Sequence, residues 1–189
     1  MVKVLLLEPA YSSTKLIASP HMHATSTLLK AIATSLCWLL LTTQAFAGKP
    51  LVEGDDAPDW ILNTPTQESL SLYRDSADSK AVILFWATWC PYCEALMPEL
   101  QALKNELDGQ SIDFYALNIW EDADPIAYMQ RKGYTFKLLL DADKIAKRYH
   151  VRGTPGLFVV DENKKVIYAR KKGTSPQESI EFVRTALSK

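Results

Sequence analysis

Residues 86–93 read WATWCPYC, two cysteines two residues apart with Pro91 and Tyr92 between them. The run before it, AVILFW at 81–86, is apolar without alternation. Such a run suits a central strand buried on both faces of a sheet. After it, Cys93, Leu96, Met97, Leu100, Leu103 and Leu107 recur at helical spacing, and the stripe ends near Gly109. Cys90 therefore closes a buried strand, and Cys93 falls in the first turn of a helix. Pro91 fits that first turn and limits backbone freedom between the sulfurs. Pro98 lies inside the helix and is expected to kink it.

That position favours redox chemistry. A helix N-terminus offers unpaired N–H groups and partial positive charge, and both stabilise a thiolate. The first cysteine should fall below the ordinary thiol value, and the second stands where it can resolve a mixed disulfide. Two other uses compete. A passive staple closing so short a loop constrains the unfolded chain little. A closed zinc site needs two more ligands, and beyond residue 47 only His150 offers a nitrogen. Transient copper(I) binding by two thiolates stays open, because soft thiolates suit that ion.

The chain has 189 residues and a net charge of −1, enough for one domain of ordinary core size. No basic cluster is large enough to track phosphates, so nucleic acid is not an expected partner. Residues 1–47 differ in character. Lys30 precedes AIATSLCWLLLTT, and Ala45-Phe46-Ala47 then gives a small-x-small cleavage pattern. This is the order of a secretory signal peptide. Its apolar run is short for a membrane span, which takes about 20 residues. An uncleaved anchor is the lesser reading, and Cys37 lacks the small residues of a lipoprotein signal. Initiation at Met22 gives a leader of ordinary length, whereas residues 1–21 make it too long. The leader carries Lys3, Lys15 and Lys30 against Glu8, or +2, so the remainder is −3. Cleavage also removes Cys37, His21 and His23. An exported chain left with Cys90 and Cys93 enters a compartment where disulfides persist.

Residues 48–55 form an N-terminal arm, and 56–189 form the domain. Trp60-Ile61-Leu62 and Leu70-Ser71-Leu72 flank a Thr64-Pro65-Thr66 turn as two short strands. Ile112–Ile119, Phe136–Leu140, Gly156–Asp161 and Val166–Arg170 read as strands. Helices follow from Asp124-Pro125 to about Lys132 and from Asp143 to Tyr149. Ser175-Pro176-Gln177-Glu178 is a capping box opening the last helix, with Ile180, Val183 and Leu187 inward. The order is β-β-β-α-β-α-β-α-β-β-α, an α/β chain with a mixed sheet and helices on both faces.

Val151-Arg152-Gly153-Thr154-Pro155-Gly156 precedes the apolar strand GLFVVD. A proline there stands outside the ladder, at a special turn. A cis Thr154–Pro155 bond is one way to build it.

FWATWCPYC, the helix carrying Pro98 and VRGTPGLFVVD together resemble the thioredoxin fold. More narrowly they resemble the exported TlpA/ResA/DsbE group of thiol–disulfide oxidoreductases, from about Asp56 to the C-terminus. APDWILNTPTQESLSL is similar to that group's N-terminal β-hairpin, and Glu121–Lys137 is similar to its extra central helix insertion. The resemblance implies that Cys90 is an exposed nucleophile and Cys93 a buried resolving thiol. It implies that Pro155 is a cis-proline packed against the disulfide and that the Thr154 backbone pairs with an extended substrate. Trp89, Pro91 and Tyr92 complete the substrate-facing surface, while Trp86 belongs to the core. Two positions depart from the pattern. Leu84 replaces a buried aspartate six residues before the first cysteine, and Leu96 replaces a glutamate three residues after the second. Glu94 is expected to face solvent. The expected activity is periplasmic or extracytoplasmic dithiol–disulfide exchange by a monomer, as a reductant, without metal or bound cofactor. Apocytochrome c or copper-site proteins are the expected clients, and a membrane thiol carrier is the electron source. A copper carrier and a DsbA-like oxidant are the alternatives. The latter family carries an inserted helical domain for which this chain has no room. A peroxidase of the peroxiredoxin kind has a different cysteine layout.

Overall fold

The apolar run at 81–86 becomes the middle of a sheet. The computed structural model describes residues 49–189. Its elements are β1 (Ile61–Asn63), β2 (Ser69–Ser71), α1 (Leu72–Asp75), β3 (Lys80–Trp86), α2 (Pro91–Glu106) and β4 (Ile112–Asn118), followed by α3 (Pro125–Lys132), β5 (Lys137–Leu139), α4 (Asp143–Arg148), β6 (Gly156–Val160), β7 (Val166–Ala169) and α5 (Pro176–Leu187). The expected leader, the choice of Met1 or Met22, and Cys37, His21 and His23 lie outside the described residues.

Five strands form one sheet in the order β5-β4-β3-β6-β7. β3, β4 and β5 run parallel, and β6 and β7 are antiparallel to their neighbours. Period-two alternation then divides β3 between two cores. Val82, Leu84 and Trp86 pack with α2, α3 and α5 through Leu96, Met97, Tyr128 and Val183. Ala81, Ile83 and Phe85 pack on the other face with Trp60, Leu72, Ala146 and Tyr149. Both cysteines belong to the first core. The expected mixed sheet with helices on both faces is thus the one observed, and it is thioredoxin-like.

The N-terminal hairpin is present, each strand lying one residue nearer the turn than expected, with Leu62 opposite Leu70. Leu72, expected to end a strand, instead starts the one-turn helix α1. The Ser71 hydroxyl accepts the Arg74 N–H there, and the Ser71 N–H donates to Asp75 at 2.6 Å. Such local side-chain bonds end strands by offering the backbone another partner. The arm does not hang free. The Gly54 N–H donates to Val166 at 2.8 Å, and Asp56 bridges Lys165. α2 runs through Pro98 without a break, and Pro98 lies on its exposed side.

Buried Lys164 ties the β6–β7 turn to the segment after α1. Its Nζ donates to the carbonyls of Ser79 at 3.1 Å, Glu162 at 3.0 Å and Ser76. Burial pushes the ammonium below its ordinary value. Hydrogen bonds to a charged group are worth about 1.5–3 kcal/mol, and a buried carbonyl left without a partner adds its own cost. Lys164→Met is expected to lower unfolding stability by about 2–3 kcal/mol. A urea midpoint unchanged from the wild type would refute this role.

Candidate active site

Cys90 is the N-cap of α2, with extended backbone, and its sulfur accepts the Cys93 N–H at 3.1 Å. Pro91 takes the first helical position, where a missing N–H costs nothing. Both cysteines are free thiols. They are driven in opposite directions. The Cys93 S–H bond to the Cys90 sulfur pulls Cys90 down most. Burial opposes it, and the Thr154 hydroxyl and the N–H groups of Cys93 and Tyr92 assist, leaving Cys90 at about 6. The same sulfur–sulfur bond raises Cys93, reinforced by burial and by the neighbouring negative charge. The pair can therefore present one thiolate and hold one thiol protonated beside it.

One expectation is corrected here. Cys90 is not an exposed residue: it is 2 % accessible, close to the 1 % of Cys93. The helix turn encloses the sulfur from one side. The Thr154 side chain, from the turn before β6, acts to lower both thiols.

That strand-start turn is as expected in one respect: the Thr154–Pro155 peptide is cis. Pro155 is buried and Thr154 half-buried. Gly156 then starts β6 where a Cβ would meet both Val151 methyl groups at 3.0 Å, so any side chain there must push Val151 back by a few tenths of an ångström. Among the described residues, neither the N–H nor the C=O of Thr154 has a backbone partner. Tyr92 and Trp89 stand exposed beside the cysteines, at 69 % and 49 %. Trp86 is fully buried. The structure thus brings Trp89, Pro91, Tyr92, Thr154 and Pro155 around Cys90 and Cys93.

Sequence reading missed Glu121. Its carboxylate accepts the Thr88 N–H at 3.0 Å, the Thr88 hydroxyl at 2.6 Å and the Asn118 amide at 2.7 Å. Burial alone would raise this carboxyl, but these bonds outweigh it and hold it below the usual range. Trp89 is tied to the same loop, its Nε1 donating to the Trp120 carbonyl at 2.7 Å. The two loops meet because β3 and β4 are in register, Trp86 opposite Asn118. A lone glutamate in a polar loop gives no sequence signal for this.

Leu84 and Leu96 are both 1 % exposed and lie in the core that holds Cys93. Glu94 faces solvent in an ion pair with Lys132 at 3.0 Å. Among the described residues no group of three or more His, Cys, Asp or Glu could hold a metal.

Two measurements check this geometry. Iodoacetamide alkylation of reduced protein is expected to follow a titration near pH 6, set by Cys90. Cys93→Ala removes the sulfur–sulfur bond and should move that midpoint up toward the ordinary thiol value of about 8.5. A midpoint indifferent to the substitution would mean the bond is not what stabilises the thiolate. Glu121→Ala should lower stability by about 1–3 kcal/mol through the donors it strands. A chemical-denaturation midpoint equal to wild type would dismiss the clamp.

A family model described as AhpC/TSA family matches residues 53–169. The thioredoxin-like protein YneN of Bacillus subtilis is 30 % identical over 148 residues, 76 % of this chain and 85 % of that protein. The thiol-disulfide oxidoreductase ResA of Geobacillus kaustophilus is 33 % identical over 145 residues, 74 % of this chain and 80 % of that one. Among solved structures, a Chlorobium tepidum protein described as a thiol:disulfide interchange protein DsbE superimposes with a TM-score of 0.61 at 25 % identity, covering 72 % of this chain and 99 % of that one. StoA of Bacillus subtilis shares the fold at a TM-score of 0.55 and 20 % identity, over 67 % of this chain and 97 % of that one.

Proposed function

For a chain that belongs to the AhpC/TSA family and is a thiol–disulfide oxidoreductase of the ResA/DsbE type, we propose that Cys90 and Cys93 are the exchanging pair and that it acts as an extracytoplasmic reductant of protein disulfides. The observation that carries this reading is the Cys90 sulfur at the α2 N-terminus, held near 6 by the Cys93 thiol. At neutral pH Cys90 is mostly thiolate, the species that attacks disulfides.

The steps follow from that asymmetry. The Cys90 thiolate attacks one sulfur of a client disulfide. The client S–S bond breaks, one client sulfur leaves as thiolate, and a Cys90–client mixed disulfide forms. Cys93 then attacks the Cys90 sulfur, which releases the second client sulfur and closes the Cys90–Cys93 disulfide. The Cys93 proton goes to a departing client thiolate, since hydrophobic Leu84 and Leu96 occupy the places where a carboxylate acceptor is otherwise expected. Two electrons pass from the pair to the client, and no bound cofactor takes part.

The direction is argued from the fold: the segment between β4 and β6 holds only the short helices α3 and α4 and strand β5, with no inserted helical domain of the kind the DsbA-like oxidants carry, which favours the reductant reading. The leader supports export, and the family resemblance supports apocytochrome c or copper-site proteins as clients. A membrane thiol carrier fits as the source of electrons. Clients pair with the open Thr154 backbone by strand addition, which needs little side-chain specificity.

The reduction potential of the Cys90–Cys93 pair, from equilibration in dithiothreitol buffers, is expected nearer about −270 mV than about −120 mV. Cys93→Ser should accumulate a mixed disulfide with client protein, and Cys90→Ser should form none. A potential at the oxidising end would make the protein an oxidant, and absence of a reversible two-electron couple would remove the catalytic assignment altogether.

A further inference from the structure

We propose that the client segment taken by this site is acidic along the stretch running from the cysteines toward the β7–α5 turn. The proposal rests on the exchange reading above and adds the charge of the substrate.

A groove of about 700 Å³ starts at Tyr92 and runs past Thr154 and Pro155 to Lys172, Gly173 and the start of α5. Its floor is apolar, supplied by Val151, Leu157 and Phe158 among others. Its charges have one sign. Arg152, Arg170 and Lys172 line it, and among the described residues no aspartate or glutamate does. This contrasts with the chain beyond the leader, whose net charge is −3.

The three cations are not equivalent. Arg170 is committed within the fold, its Nε donating to the Ser179 hydroxyl at 3.1 Å and a terminal nitrogen to the Thr174 carbonyl. Arg152 and Lys172 are exposed and, among the described residues, have no carboxylate partner. The α5 N-terminus offers no rival anion site, because Ser175 and Glu178 already cap it. The Ser175 N–H donates to Glu178 at 2.9 Å, and Pro176 has no N–H to give. Two free cations on a carboxylate-free wall attract negative charge, and apolar walls focus the field along the groove. Thr154 lines the same groove as Arg152 and Lys172, so a segment laid on its open backbone enters their field.

The test uses three nine-residue peptides, each with one central cysteine in a mixed disulfide with 2-mercaptoethanol. They differ only in flanking Glu, Gln or Lys. Second-order rates with reduced protein are read from tryptophan fluorescence and divided by the rate on bis(2-hydroxyethyl) disulfide, a small neutral disulfide. The expected order is Glu above Gln above Lys, with roughly tenfold between the extremes at low ionic strength and near equality in 1 M salt, where charges are screened beyond about 3 Å. The double substitution Arg152→Glu with Lys172→Glu should cancel or invert the order. Lys104→Glu, 14 positions along the chain from Cys90 at the far end of α2, should keep it. Equal rates for the three peptides overturn the proposal, as does an order that survives the double substitution. If the peptides show no charge order while the neutral disulfide is reduced, the charge reading alone falls. If the neutral disulfide is not reduced at all, the exchange reading falls and takes this one with it.

Discussion

One contact sets the character of this molecule: the Cys90 sulfur and Cys93, brought together in the first turn of α2. It divides two chemically identical groups into a thiolate and a retained thiol. Cys90 caps α2, where the Cys93 N–H already points at its sulfur. Burial alone would hold both cysteines protonated, because low dielectric disfavours either thiolate. Directed donors reverse that outcome for Cys90 only. The Thr154 hydroxyl, contributed from a segment more than 60 residues later, belongs to the same set of donors.

The rest of the fold holds that arrangement still. β3 is buried on both faces, and so the end at which Cys90 emerges is fixed by two cores at once. Parallel pairing with β4 brings Asn118 beside Trp86, and Glu121 then gathers the Thr88 backbone, the Thr88 hydroxyl and the Asn118 amide. Antiparallel pairing with β6 sets Gly156 opposite Phe85 and delivers the Thr154–Pro155 turn to the same edge. Two loops and one helix end thus meet because three strands share a register. The groove leading away from them is walled by the turn before β6 and the turn after β7.

The legible part of this protein is the part encoded in short-range pattern. AVILFW announces a doubly buried strand, the leucine spacing announces α2, and Ser175-Pro176-Gln177-Glu178 announces α5. A proline at a strand start announces the special turn at Thr154–Pro155, while its cis bond was implied by the family resemblance. Other features had no local signature. Leu72 was read as strand although Ser71 and Asp75 turn the chain into α1, because apolar alternation outweighs one cap in a sequence reading. Glu121 looked like any loop acid. Its importance comes from donors 33 and 3 residues away that only the sheet assembles.

Taken alone, the sequence determined a mixed α/β sheet, a cysteine at a helix N-terminus and a second cysteine one turn on. These follow from local periodicity, capping and turn chemistry, all of which act over a few residues. Tertiary structure decided that Cys90 is enclosed rather than open, that Glu121 ties two loops and that Arg152 and Lys172 share a wall free of carboxylates. Burial and electrostatics depend on which distant residues become neighbours, and strand register settles that only once the chain is folded.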